Sequence, residues 1–153
     1  MPKVEEGAWV PPVDEQALGR LARALDREGV VAASLFGSRA NETAGPLADI
    51  DLAVWADPGL SAQSRSRLRL DLAAAAAEAL GTGEIDLVLL NSAPVLLRHR
   101  VMRDGRLIIE RSRAQRVRLE TSSLLEFLDT VPLRESLARG RRRRLAEGRF
   151  GRR

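Results

Sequence analysis

The stretch Leu35-Phe36-Gly37-Ser38-Arg39-Ala40, followed after a short gap by Ala48-Asp49-Ile50-Asp51-Leu52, decides how this chain is read. Residues 30–36 form a short apolar run of small and branched side chains, the pattern of a buried strand, which Gly37-Ser38 breaks. From Asp49 onward, Ile50, Leu52 and Val54 alternate with Asp49, Asp51 and Ala53. A period of two predicts a strand and sends both aspartates to one face. Their α-carbons then stand about 6.5–7 Å apart, at ~3.3 Å rise per residue. Parallel carboxylates repel unless something positive lies between them, and a hard divalent cation such as Mg²⁺ does this well. Asp86 lies in a second acid–apolar run, Glu84-Ile85-Asp86-Leu87-Val88-Leu89-Leu90. If the two strands are neighbours, Asp86 joins the pair. Three carboxylates can hold two cations, one activating an attacking oxygen and one carrying a triphosphate. Read alone, Asp-x-Asp on a strand is usually a solvated face and Gly-Ser a turn. The combination is more specific: glycine allows close backbone approach, and a serine opening a helical turn offers a hydroxyl and free N–H groups to a phosphate.

Outward from this stretch, strands and helices alternate. Asp14 suits a helix N-cap, Leu18, Leu21 and Leu25 follow at helical spacing, and Gly29 suits the stop. Residues 39–48 hold Asn41, Gly45 and Pro46 and read as a turn or short helix and a loop. Asp57-Pro58-Gly59 ends the acidic strand. Residues 61–80 form a helix burying Leu68, Leu72, Ala75, Ala76 and Ala79, with Gly81 as its cap. A strand over 84–90, a helix over 93–103 and a short strand over 107–109 follow. A helix over 113–128 then turns Val117, Leu124, Phe127 and Leu128 inward. Pro132 interrupts before a last helix over about 134–146. The class is α/β (α+β), with helices against a sheet whose strand order the sequence does not give. We divide the chain into a lead-in over 1–13, a main domain over 14–133 that includes a C-terminal helix, and a basic tail over 134–153.

Composition narrows the chemistry. The chain has 153 residues, which favours one domain. It contains no cysteine and one histidine, His99, so disulfides, thiolate zinc sites, cysteine nucleophiles and multi-histidine metal sites are excluded. No apolar run approaches the roughly 20 residues of a bilayer crossing, and the N-terminus does not read as a signal peptide. The expected address is the cytoplasm, with no membrane partner. Residues 134–153 hold nine arginines against Glu135 and Glu147, a net of +7, whereas the rest of the chain is net −3. The basic character therefore belongs to the tail. Aromatic residues make up only 3% of the chain, which supplies base stacking poorly and disfavours RNA as the tail's partner. His99, Arg98, Arg103 and Arg106 read first as helix-surface or packing residues, and Trp55 as core rather than a platform for adenine.

The run from Leu35 to Ala40 with Ala48 to Leu52 resembles the signature of the DNA polymerase β-like nucleotidyltransferase superfamily, in its minimal branch. The segment from Ile85 to Pro94, with Leu96-Leu97-Arg98 and Arg103-Asp104-Gly105, is similar to the MntA-type adenylyltransferase antitoxins, partners of HEPN-domain toxins. The resemblance implies a mixed sheet with flanking and C-terminal helices. It also implies transfer of AMP from ATP, with Mg²⁺ (two ions), to a tyrosine of a HEPN ribonuclease that is thereby silenced. By position, Asp49, Asp51 and Asp86 would be the catalytic metal ligands, Asp86 also the base for the incoming hydroxyl. Gly37, Ser38 and Arg39 would bind the nucleotide. The sequence departs from many relatives at Ala40, Asn41 and Glu42, where a small residue, a basic residue and glycine are common, and at Ala48, often serine.

Two other functions fit the same residues. A contact-only antitoxin would neutralise its partner through the apolar faces of 113–137 and the basic tail, without chemistry. A small-molecule nucleotidyltransferase would need an acidic acceptor pocket that the sequence does not display. The chain has no tyrosine, so a tyrosine acceptor must lie on another molecule.

Overall fold

The computed structural model describes residues 12–37 and 49–148. Four strands, β1 (Val30–Phe36), β2 (Ile50–Ala56), β3 (Ile85–Leu89) and β4 (Arg106–Glu110), form one mixed sheet in the order β3-β2-β1-β4. The central strand β1 pairs antiparallel with both β2 and β4, and β2 pairs parallel with β3. That parallel step needs a crossover, which α2 (Ala62–Leu80) supplies. The other helices are α1 (Glu15–Leu25), α3 (Val95–Asp104), α4 (Arg113–Asp129) and α5 (Val131–Ala146).

The expected alternation along β2 is realised. Ile50, Leu52 and Val54 enter one core with Leu21 and Leu25 of α1 and Leu72, Ala76 and Leu80 of α2. Ala53 and Trp55 face the opposite core, with Leu90, Ala93 and Val101 around α3. The helix boundaries have local causes. The Asp14 carboxylate accepts from the Ala17 N–H at 2.8 Å and starts α1. The Ser61 hydroxyl accepts from the Ser64 N–H at 3.1 Å and starts α2, and Gly81, at φ +66°, ends it. Helix α1 stops at Leu25, earlier than Gly29 suggests; Gly29 (φ +90°) instead shapes the turn into β1. Helix α5 starts at Val131, ahead of its expected position. Pro132 falls in the first turn, where its missing N–H costs nothing.

One expectation fails. Val117, Leu124 and Leu128 are exposed by 45, 41 and 52%, not buried. Phe127 does turn inward as expected, but its companions on that face of α4 are Leu119 and Ser123. Both sets recur at helical spacing, so periodicity alone does not choose between them. The choice is made by Phe127 stacking on His99 (3.7 Å between ring centroids) and by Arg116, which pairs with Glu110 of β4 and with Glu120. Helix α5 buries none of its residues. It is tied at its base by Arg134, which lies over the Phe127 ring at 4.1 Å and donates to the Thr130 hydroxyl at 3.1 Å.

Candidate active site

The register of the sheet puts the acids together. Phe36 of β1 is opposite Asp51 of β2, and Asp51 is level with Asp86 of β3, so the three form one row across three strands. The neighbour relation that the acid–apolar runs left open is therefore present, and it is parallel. Asp49 directly precedes β2 and is exposed. Gly37 closes β1 at φ +71°, a conformation that side-chain-bearing residues rarely adopt. A β-carbon at this position would fall on the Asp51 carboxylate oxygen Oδ2. Backbone and carboxylate thus share a space that only glycine leaves open. Ser38, Arg39 and the 39–48 turn lie outside the described residues.

Burial first, and then the charges of Asp86 and Asp49, hold the Asp51 carboxyl above the usual carboxylate range. Among the described residues no cationic side chain pairs with any of the three. No group of three carboxylate or imidazole side chains among them converges on a single point. The Asp51–Asp86 pair, with Asp49 near enough to raise Asp51, is an all-oxygen, uncompensated donor set. Its chemistry fits a hard divalent cation.

A cavity of about 720 Å³ opens beside this row. Phe36, Asp51 and Asp86 border it, Arg65, Ser66 and Arg69 of α2 form one wall, and Ala93, Pro94 and Leu97 the other. This is ample for a small-molecule ligand. The family model for polymerase β nucleotidyltransferases matches residues 20–114, which span α1 to the start of α4 and include the whole acid row. The chain belongs to the polymerase β nucleotidyltransferase family. No curated protein matches it. Among solved structures, a chain of a toxin–antitoxin complex with AMP-PNP superposes with a TM-score of 0.63 at 23% identity, over 80% of this chain and 96% of that one. A chain of the MntA–HepT toxin–antitoxin structure gives 0.60 at 21% identity, over 83% and 97%. A chain from a tri-AMPylated Shewanella oneidensis HEPN toxin in complex with its MNT antitoxin gives 0.60 at 22%, over 81% and 94%. At these identities the likeness establishes the shared fold.

Within this nucleotidyltransferase the other candidates take structural places. Trp55 shares the acids' face but is 5% exposed in the α3-side core, so it packs and does not stack on a base. His99 packs on Phe127. Arg98 pairs with Glu126 at 2.8 Å, Arg103 with Asp104 at 2.7 Å and Arg106 with Glu15 at 2.6 Å. Sequence reasoning missed three residues. The composition of the 61–80 helix does not single out Arg65 and Arg69, although their spacing of four marks a shared face. Asn91 accepts from the Ala56 N–H at 2.8 Å and donates to the Ala56 carbonyl at 2.9 Å, locking the end of β2 to the turn after β3. No helix of the described residues is long and apolar enough to cross a membrane.

Proposed function

We propose that this nucleotidyltransferase is an antitoxin that transfers AMP from ATP to a tyrosine of a HEPN-domain ribonuclease toxin. The observation that carries the reading is the cross-strand Asp51–Asp86 pair, with Gly37 packed on Asp51 at the mouth of an open cavity. The likeness to antitoxin complexes, one holding an ATP analogue and one an AMPylated HEPN toxin, supports the choice of donor and partner.

In this reading Asp51 and Asp86, with Asp49 beside them, would hold Mg²⁺, which would supply positive charge against the triphosphate and the developing charge of the transition state. Gly37 leaves room for the phosphates to approach the backbone, with Ser38 and Arg39 as further contacts. Asp86, on the outermost strand, faces the acceptor and takes the proton of the tyrosine hydroxyl. The phenolic oxygen bonds to the α-phosphorus. The bond from that phosphorus to the bridging oxygen breaks, and pyrophosphate leaves with the electron pair. Asp51 is already poor in compensating charge, so cation binding and ionisation of Asp51 favour each other.

The test mixes purified protein, the product of the adjacent gene, Mg²⁺ and α-labelled ATP, and reads intact mass. One or more AMP masses should appear on the partner and vanish with Asp49→Ala/Asp51→Ala. Transfer that survives the double variant, or never occurs, overturns the reading. The exposed leucines of α4 and α5 favour a second reading, neutralisation by contact alone. It predicts that the double variant still protects cells from the toxin.

A further inference from the structure

Asp86 sits on a strand at the edge of the sheet. β3 has β2 on one side and, among the described residues, no strand on the other. The Ile50 N–H donates to the Glu84 carbonyl at 3.0 Å, so Glu84 turns its carbonyl toward β2. By strand alternation Asp86 and Val88 do the same, and Ile85, Leu87 and Leu89 present theirs outward. The side chains of Leu87 and Leu89 are buried in the α1/α2 core, yet both residues border the cavity. The β3 edge has no proline, lysine or bulge, the usual guards against an added strand. Beside it, α2 aims two cations into the same groove. Arg65 donates Nη2 to the Pro58 carbonyl at 2.9 Å, but its Nε is buried without a hydrogen-bond partner. Neither Arg65 nor Arg69 forms an ion pair among the described residues.

We propose that this groove is the acceptor channel. An extended segment of the partner protein adds to the outer edge of β3, sets acidic side chains against Arg65 and Arg69, and delivers its tyrosine hydroxyl to Asp86. The inference rests on the transferase reading above and deepens it. Strand addition draws affinity from main-chain hydrogen bonds, and flanking side-chain contacts give selectivity. The edge strand that receives the segment also carries the carboxylate assigned to the proton, so docking and alignment are one event. The uncompensated arginines call for an acidic segment, because their charges have no ion-pair partner among the described residues.

Ser66→Trp fills the groove from an exposed position on α2, and Arg69→Glu reverses one of its charges. Transfer to the adjacent gene's product is measured against partner concentration at saturating Mg·ATP, with Mg·AMP-PNP affinity measured alongside. Each variant should raise KM for the partner by about tenfold or more, leaving kcat and AMP-PNP affinity unchanged. In the unaltered protein, amide exchange at Ile85, Leu87 and Leu89 should be fast alone and slow by at least about tenfold when the partner is bound. Unchanged KM in both variants, weakened AMP-PNP affinity, or unchanged exchange in the complex overturns the channel. If the unaltered protein forms the complex without transferring AMP, the transferase reading falls, and slowed exchange at those amides still upholds strand addition. If no complex forms, both fall.

Discussion

On the α1/α2 side of the sheet fifteen buried apolar residues form one cluster, against seven on the α3/α4 side among the described residues, so the first side governs stability. The second side is held by discrete polar and aromatic contacts: Arg98 with Glu126, Arg116 with Glu110 and Glu120, and His99 on Phe127. It also carries the acid row and leaves Val117, Leu124 and Leu128 in solvent. The difference teaches a division of labour. One face makes the sheet rigid enough to hold repelling carboxylates in register. The other leaves the acid row beside an open cavity and part of α4 in solvent.

The sharpest way to break this comparison is to damage the first face. Leu72 is wholly buried between α2 and the sheet. Leu72→Ala should cost ~2–5 kcal/mol in denaturant unfolding. A cost under about 1 kcal/mol would mean that the core is shared more evenly than described. Asn91→Ala should cost ~1–3 kcal/mol, because it leaves the Ala56 N–H and carbonyl unpaired at the end of β2. Transfer activity should drop with it if β2 and β3 shift against each other.

Asp51→Asn tests the strain on the second face. Burial and two neighbouring acids raise the Asp51 carboxyl, so the folded chain keeps that proton to higher pH than the unfolded chain. Stability then falls as pH rises from the ordinary carboxylate range through the raised value. In chelator at pH 7 the variant should melt higher than the parent, and the gain should vanish below the ordinary carboxylate range. Added Mg²⁺ should raise the melting temperature of the parent and not of the variant. The smallest effect belongs to Leu124→Ser and Leu128→Ser, which should alter stability of the isolated chain by no more than ~0.5 kcal/mol. A larger loss would show that this surface is covered within the chain's own assembly.

The first face was nearly all legible in the sequence. The period of β2, the α2 stripe and the caps at Asp14 and Gly81 are local signals, and they define both the elements and their inward sides; the Ser61 cap appears only in the structure. Asp51 and Gly37 were legible for the same reason, since motif and strand period coincide. What escaped depends on distant partners. The two candidate faces of α4 differ only in what they meet, and His99 lies far from Phe127 in the chain. Arg65 and Arg69 gained meaning only when β3 proved to be an edge. The parallel pairing of β2 with β3 fixes Asp86 beside Asp51, and no local pattern contains it.

Helix α5 has a consequence of its own. It buries nothing, holds Gly140 at its middle, and stacks Arg139 with Arg143 and Arg141 with Arg144 one turn apart. Like charges at that spacing oppose the helix, and glycine weakens it further. Beyond the Arg134 anchor, its coil-to-helix balance therefore behaves as a gauge of the anions around it. It tightens as salt screens the arginines.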